Sequence, residues 1–156
     1  MPLSGLLAEG RIVLALQGQT KEAVLAELAA VAAGQLAGRT AAEILQVLEE
    51  REQLGTTGIG SGIAIPHGKL KGLGQLLAIF GRSQTGVPFQ AQDGQPVHFF
   101  LLLLAPQESA EPYLRVLGSV TRFLRQAAIR TRLMRAKTAE EVLAVFTEAE
   151  AGRPAP

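Results

Sequence analysis

This chain of 156 residues contains no cysteine, two histidines and a single aspartate, Asp93. The absence of cysteine excludes disulfides and thiol chemistry. Transition metals in proteins are held mainly by cysteine, histidine and carboxylate side chains, so a dedicated metal site is not expected. We therefore predict that the protein works without a metal and without a bound cofactor.

Tryptophan is also absent, and aromatic residues make up 4% of the chain, so a sugar-stacking surface is not expected. The net charge is +1, whereas nucleic-acid binders owe much of their affinity to an excess of basic residues. The longest apolar run, Val97 to Ala105, is far shorter than the ~20 residues that span a bilayer. The N-terminus has no basic segment leading into an apolar core. We therefore expect a cytoplasmic protein that neither binds nucleic acid nor inserts into a membrane.

Glycine, in contrast, is concentrated in one stretch, GTTGIGSGIAIPHG from Gly55 to Gly68, which holds five of the seventeen glycines. Glycine leaves backbone N–H groups uncovered and permits positive φ angles, so several amides of this loop are expected to turn towards one anion. The run from Ile63 to Ile65 reads as a short buried strand, and Pro66 ends it because proline forces the preceding residue into an extended conformation. This arrangement places His67 at the mouth of the strand.

Two common phosphate-binding loops do not fit this stretch. A Walker loop has four residues between its first glycine and Gly-Lys, and Ser or Thr follows the lysine. Here five residues separate Gly62 from Gly68-Lys69, and Leu70 follows. A dinucleotide-binding loop opens a long helix, whereas this loop leads into a strand. Nucleotide binding by either mode is therefore not expected.

Hydrophobic periodicity and capping signals divide the chain into strands and helices. Strands are predicted over Arg11–Leu16, Ile63–Ile65, Leu76–Phe80 and Val97–Ala105, and turns over 68–74 and 85–95. Helices are predicted from Thr20 to Gly34, from Thr40 to about Leu54, from Ser109 to Gln126 and from Thr138 to about Glu148. The buried side of the third helix is predicted to carry Leu114, Leu117, Val120, Phe123 and Leu124. These elements predict a single α/β domain over residues 1–150 and a disordered tail over residues 151–156.

Three stretches of the sequence resemble one known family. The first is REQLGTTGIGSGIAIPHG, which runs from Arg51 to Gly68. The second combines GVPF, starting at Gly86, with DGQPV, starting at Asp93, and the third is LLLAP, which ends at Pro106. In this order and spacing they are similar to the mannitol/fructose-type (type 2) IIA domain of the bacterial phosphoenolpyruvate-dependent phosphotransferase system, including its nitrogen-regulatory branch.

This resemblance implies a mixed central β-sheet flanked by α-helices and the function of a phosphocarrier. In this family the histidine of the Pro-His-Gly motif accepts a phosphoryl group from the carrier protein HPr, and His67 occupies that position. Transport members pass the group to a IIB domain, whereas nitrogen-regulatory members use their phosphorylation state to govern a target protein. The resemblance thus implies a phosphotransferase that needs no cofactor, with HPr and a IIB domain or a regulatory target as partners.

Four side chains form the candidate site. His67 is the predicted phosphoryl acceptor, and Arg51 is a predicted donor that stabilises the phosphoryl oxygens. Thr57 is the preferred hydroxyl donor among the polar residues of the loop. Tyr113 stands where most members of the family carry a second histidine. A phenol can donate one hydrogen bond to a phosphoryl oxygen, but it cannot become a cation near neutral pH.

Three further polar residues are not predicted to take part in the chemistry. His98, which lies in the apolar run, is expected to be a hydrogen-bonded core or edge histidine. Asp93, which precedes Gly94, is expected to be a turn residue. Ser61 stands where many relatives of the nitrogen-regulatory branch have a histidine, which weakens the assignment to that branch.

Two other functions fit the sequence. One is a non-catalytic regulatory binding module whose docking on a partner depends on the loop around His67, with phosphorylation as the switch. The other is a sensor of small anions that never forms phosphohistidine, which rests on the glycine loop alone. Covalent attachment of radiolabel from phosphoenolpyruvate would exclude the sensor.

Overall fold

A mixed β-sheet runs through the part of the chain that the computed structural model describes, residues 3–108 and 111–152. Its strands are β1 (Ile12–Val13), β2 (Gly58–Gly60), β3 (Ile63–Ala64), β4 (His67–Leu70), β5 (Leu77–Val87) and β6 (Val97–Pro106). The helices are α1 (Lys21–Gly34), α2 (Ala41–Gln53), α3 (Glu111–Leu124), α4 (Ala127–Arg135) and α5 (Ala139–Gly152). Short 3-10 helices at Leu3–Leu6 and Glu9–Arg11 precede β1.

Strand β6 lies at the centre of the sheet. It pairs antiparallel with β5 on one side and parallel with β3 and β4 on the other, while β1 adds to β5 and β2 adds to β3. The predicted α/β fold with a mixed central sheet flanked by helices is therefore confirmed. No helix of the described residues is long and apolar enough to cross a membrane.

The apolar run of β6 is buried on both faces, as predicted. Phe99, Leu101 and Leu103 belong to one hydrophobic core, which also contains the buried side chains of α3, α4 and α5. The alternating residues Phe100 and Leu102 belong to a second core, formed with α1 and α2. Successive side chains of a strand point to opposite faces, so a continuous apolar run is what a strand between two helical layers requires.

The helix starts follow the capping signals of the sequence. The Thr20 side chain accepts a hydrogen bond at the start of α1, and Thr40 with Glu43 forms a complete capping box at the start of α2. At α5 the Thr138 hydroxyl accepts from the Glu141 N–H at 3.1 Å, but the Glu141 carboxylate accepts from Lys137. The second capping box that the sequence predicts, Thr138 with Glu141, is therefore only half formed.

Several predicted boundaries are wrong. The first strand comprises only Ile12–Val13, the predicted 68–74 turn begins as strand β4, and β5 continues to Val87. Strand β2 and helix α4 were not predicted at all. Strand β4 is extended because it pairs with β6. Its sequence contains glycine and lysine, which do not favour strands, so it gave no strand signal.

The remaining differences concern the two last predicted helices. Leu114 is 64% exposed, whereas it was expected on the buried side of α3. Helix α5 extends to Gly152, past the predicted end of the domain at residue 150. The first two residues of the predicted third helix, 109–110, and residues 153–156 of the predicted tail lie outside the described residues.

Candidate functional site

His67 lies where the edge of the sheet is interrupted. Strands β3 and β4 both pair in parallel with β6, and residues 65 and 66 separate them. Pro66 has no N–H to donate to a ladder, so the pairing breaks there and resumes with His67 opposite Leu103. The break leaves the Ile65 carbonyl available to a side chain.

That carbonyl selects the tautomer of the His67 ring. The His67 Nδ1 atom lies 2.7 Å from the Ile65 carbonyl oxygen, and because a carbonyl can only accept, Nδ1 carries the proton. On the other side of the ring, Arg51 Nε lies 3.2 Å from His67 Nε2 and donates to it. A guanidinium has no acceptor, so Nε2 bears the free lone pair. The neutral ring thus presents Nε2 as its nucleophilic atom.

The surroundings of His67 favour this neutral form. Burial lowers the pKa of the imidazole, and the positive charge of Arg51 lowers it further. The hydrogen bond to Ile65 and the negative charge of Glu52 act in the opposite direction, but the pKa still lies below its ordinary value. The nucleophilic form of the ring is therefore the populated one near neutral pH.

Arg51 comes from the last turn of α2, which passes close to β4. Arg51 Nη1 donates to the Gly55 carbonyl oxygen at 2.9 Å, and this contact holds the guanidinium beside the ring. The close approach of the helix depends on Gly68, because a Cβ atom at that position would collide with Val47 of α2. The glycine that follows His67 in the sequence therefore brings Arg51 within reach.

Tyr113, from the first turn of α3, lies close to the ring of His67. The ring centroids of Tyr113 and His67 are 5.9 Å apart, and Lys69 Nζ lies 5.5 Å from the Tyr113 centroid. Burial raises the pKa of Tyr113 to about 12, so the phenol keeps its proton.

An open cavity of about 390 Å³ surrounds these side chains. Its lining comprises Val47, Glu50, Arg51, Leu54, His67, Gly68, Lys69 and Tyr113. At its edge Leu54 is 85% exposed, and Leu114 is the neighbour of Tyr113 in α3. The described residues place no group of three metal-binding side chains together, here or elsewhere.

The glycine loop does not form the expected ring of free amides. It folds into the β2–β3 hairpin, and three of its N–H groups donate to side chains of the protein. Thr57 N–H donates to Glu52, Gly58 N–H to the Thr56 hydroxyl, and Ser61 N–H to Asp93. The prediction of an anion-binding loop is therefore wrong for these amides, because nearby side chains already satisfy them.

The residues without a predicted chemical role have structural partners. Asp93 also accepts from the Gln95 N–H at 3.0 Å, so it fastens the turn to the hairpin, as expected of a turn residue. His98 Nδ1, in the central strand β6, lies 2.9 Å from the Ser83 carbonyl oxygen, so this histidine is hydrogen-bonded as expected.

Thr57 is placed differently from the other three candidate residues. It is 3% exposed, and its hydroxyl donates to Glu52 Oε2. The structure therefore brings Arg51 and Tyr113 to His67 but directs the Thr57 side chain to a carboxylate. Glu52 was missed as a site residue because in the sequence it is one of several charged residues at the end of a helix.

Comparison with known proteins gives the family of the chain. The family model described as "Phosphoenolpyruvate-dependent sugar phosphotransferase system, EIIA 2" matches residues 5–149. The chain belongs to this family. The family includes nitrogen-regulatory proteins and fructose- and mannitol-type IIA phosphocarriers that pass phosphate to IIB domains. The protein is accordingly a phosphoryl-transfer component of that system.

Individual EIIA relatives come from both branches. The nitrogen regulatory protein of Bradyrhizobium diazoefficiens is 39% identical over 146 residues, which cover 94% of this chain and 95% of that protein. The fructose-specific EIIA component of Haloferax volcanii is 36% identical over 119 residues, which cover 76% of each chain. Among solved structures, the nitrogen regulatory protein IIA-Ntr of Neisseria meningitidis matches with a TM-score of 0.87 and 33% identity, covering 92% of this chain and 98% of that one.

A further solved structure shows the same fold in a complex. Enzyme IIAMTL of Escherichia coli, bound to phosphorylated enzyme IIBMTL, matches with a TM-score of 0.75 and 22% identity, covering 90% of this chain and 96% of that one. This likeness shows that the two chains share a fold.

Proposed function

We propose that Nε2 of His67 accepts a phosphoryl group from the phosphohistidine of HPr and later gives it up. The observation that carries this proposal is the polarity of the two hydrogen bonds to the ring. Ile65 accepts from Nδ1, which leaves the lone pair of Nε2 beside Arg51, and the ring lines the open cavity. An imidazole held in one tautomer is a ready nucleophile near neutral pH.

The transfer step needs no oxidant, reductant or metal. The Nε2 lone pair of His67 forms a bond to phosphorus while the bond from phosphorus to the donor imidazole breaks. The leaving imidazole keeps the electron pair of the broken bond, and Nδ1 of His67 keeps its proton. Phosphoryl transfer passes through a loose transition state, so positioning and fixed positive charge contribute most of the rate. In this sense the protein acts as a phosphotransferase.

Arg51 and Tyr113 supply the positive potential. Before transfer Arg51 donates to Nε2 itself, and it can turn its N–H groups to the phosphoryl oxygens once the N–P bond forms. Tyr113 keeps its proton, since its pKa is raised to about 12, and it donates one hydrogen bond to the same group. Lys69, which lies over the Tyr113 ring, adds a further positive charge at the edge of the cavity.

The surroundings of the site suit a protein donor. Leu54, which is 85% exposed, lines the cavity, and Leu114, which is 64% exposed, follows the cavity residue Tyr113 in α3. Exposed apolar side chains around a polar centre are typical of a protein interaction site. We therefore propose HPr as the phosphoryl donor. The proposed compartment is the cytoplasm, because phosphoenolpyruvate is made there.

The phosphoryl group of this protein serves mainly as a regulatory switch. Support comes from the relatives, because proteins named nitrogen regulatory protein match it over nearly their whole length. A phosphoryl group adds about two negative charges beside Arg51 and Lys69, which changes the docking of any partner at this surface. If the phosphorylated protein passes its label rapidly to a purified fructose-type IIB domain, transport is its role instead.

The proposal is tested with phosphoenolpyruvate carrying ³²P, enzyme I and HPr. The wild type and a control variant at the other histidine, His98→Gln, are expected to take up an acid-labile label. His67→Gln is expected to take up none. Label on His67→Gln, or no label on the wild type when a known IIA domain is labelled in the same mixture, would overturn the proposal.

A further inference from the structure

A chain of hydrogen bonds connects Glu52 of α2 with the ring of His67. Glu52 Oε1 accepts from the Thr57 N–H at 3.1 Å, and Glu52 Oε2 accepts from the Thr57 hydroxyl. The Thr57 carbonyl then accepts from the Ile65 N–H at 3.0 Å. The Ile65 carbonyl accepts from His67 Nδ1. Each group in this series of hydrogen bonds is therefore held by the one before it.

Lys21 of α1 holds Glu52, the first group of this series of hydrogen bonds. Its Nζ atom lies 2.8 Å from Glu52 Oε1, and the two side chains are 13% and 7% exposed. Lys21 Nζ also lies 4.7 Å from the centroid of the Phe89 ring. A carboxylate held by a cation, a hydroxyl and an amide has little freedom to rotate. Glu52 is therefore a rigid anchor, although it does not touch the ring.

We propose that Glu52, held by Lys21, is a positioning residue for phosphoryl transfer and acts on His67 through Thr57 and Ile65. This inference rests on the function proposed above. Adjacent residues of α2 then hold the two nitrogens of His67: Arg51 contacts Nε2 directly, and Glu52 fixes the carbonyl that binds Nδ1. Thr57, the predicted hydroxyl donor, contributes by holding the loop.

The alternative is that these bonds merely stabilise the hairpin. The two roles predict different behaviour of the His67 ring. Only a positioning role determines which nitrogen of the neutral imidazole carries the proton. If the Ile65 carbonyl shifts, His67 loses the partner that holds the proton on Nδ1, and the proton moves to Nε2. The lone pair then points away from the incoming phosphorus.

Nitrogen-15 NMR of the unphosphorylated full chain measures that tautomer ratio. In the wild type the proton is expected on Nδ1. Thr57→Val, which removes the hydroxyl and keeps the shape, and Glu52→Gln are expected to shift the population towards protonated Nε2. Thr57→Ser is expected to restore the wild-type ratio, because it returns the hydroxyl.

Single-turnover kinetics with phospho-HPr gives the second readout. The rate constant of transfer is expected to fall roughly 10- to 100-fold in Thr57→Val and Glu52→Gln, as is typical when a supporting residue of a reactive group is lost. The KM for phospho-HPr is expected to stay unchanged, since neither residue lines the cavity around His67.

Thr138→Val is the matched control, because it also removes a threonine hydroxyl that makes a hydrogen bond, here one that accepts from the Glu141 N–H at the start of α5. The positioning role is overturned if Thr57→Val and Glu52→Gln lower the Tm as Thr138→Val does and leave the tautomer ratio and the rate constant at wild-type values. The ratio is measured without any phosphoryl donor. Failure of the wild type to accept phosphate therefore counts against the proposed function and leaves this test intact.

Discussion

At the scale of single residues, the proposed chemistry depends on how His67 is held in its neutral form. Burial and the charge of Arg51 outweigh the hydrogen bond to Ile65 and the charge of Glu52, so the pKa of the ring lies below its ordinary value. A folded protein that binds a proton less readily than its unfolded chain loses stability as the pH falls. The same contacts that prepare the nucleophile therefore make the fold sensitive to acid.

This sensitivity is our first prediction. The unfolded His67 takes up a proton near pH 6.5, whereas the folded one does so only at lower pH. Relative to His67→Gln, the free energy of unfolding of the wild type should be constant above that value and should decrease as the pH falls through the window below it. Urea unfolding at a series of pH values measures the difference. A difference that does not change with pH would show that the pKa of His67 is not lowered.

The second prediction concerns Tyr113. Tyr113→Phe removes one neutral hydrogen-bond donor to the phosphoryl group. It should slow transfer by about tenfold or less, because that factor corresponds to the free energy of one neutral hydrogen bond. Tyr113→His restores a donor that can also become a cation, so its transfer rate should rise relative to the wild type as the pH falls below about 6.5. Single-turnover rates at several pH values test both variants. Transfer by Tyr113→Phe at the wild-type rate would remove the hydroxyl from the mechanism.

At the scale of the elements, the site depends on the contact between α2 and β4. The last turn of α2 supplies Arg51, and β4 begins with His67. Gly68 sets their separation, because any side chain there would meet Val47. The spacing of one helix from one strand thus controls the hydrogen bond between Arg51 and His67.

Our third prediction concerns the substitution Gly68→Ala. The added methyl group should push α2 away from β4, destabilise the fold by about 1–3 kcal/mol and slow phosphoryl transfer by weakening the contact of Arg51 with His67. In the double variant Gly68→Ala/Val47→Ala, transfer should recover, because the second change makes room for the first. Urea unfolding and single-turnover kinetics measure both effects.

Gly74→Ala provides the control for this pair, since a Cβ there has no neighbour within 4 Å. It should behave as the wild type in both measurements. If Gly68→Ala transfers phosphate at the wild-type rate, the separation of α2 from β4 does not control the position of Arg51.

The same elements show what the sequence could and could not predict. The caps of α1 and α2, the central strand β6 and the position of His67 at a strand end follow from local signals, namely threonines before apolar helices and a proline after a short apolar run. Strand β4 could not be predicted, because only its pairing with β6 makes it a strand. The loop amides were wrongly expected to be free, since their partners Glu52 and Asp93 become neighbours only on folding.

At the scale of the whole molecule, a buried arginine connects distant parts of the chain. Arg82 of β5 is 6% exposed. Its guanidinium donates to the carbonyl oxygens of Leu14, Leu133, Met134 and Ala136. Three of these carbonyls lie at the C-terminal end of α4, where helices leave acceptors without partners. Arg82 therefore joins the sheet to the helical layer on the side of α3, α4 and α5.

Our fourth prediction is that Arg82→Met destabilises the protein by about 3 kcal/mol, because hydrogen bonds from a charged donor to buried carbonyls are lost together. Arg82→Lys keeps the charge but reaches fewer carbonyls, so this variant should lose less stability than Arg82→Met. Arg132→Met, which removes an exposed ion pair with Glu148, should cost about 1 kcal/mol or less. Urea unfolding ranks the three variants. Equal losses for Arg82→Met and Arg132→Met would contradict the role of Arg82.

The central claim is that the protein carries its phosphoryl group on Nε2 of His67, and nitrogen-15 NMR of the phosphorylated full chain tests it most directly. We predict that the nitrogen bonded to phosphorus is Nε2, with the proton still on Nδ1 against the Ile65 carbonyl. A phosphoryl group on Nδ1 would contradict the tautomer that the structure defines. A phosphoryl group on a residue other than His67 would contradict the assignment of the site.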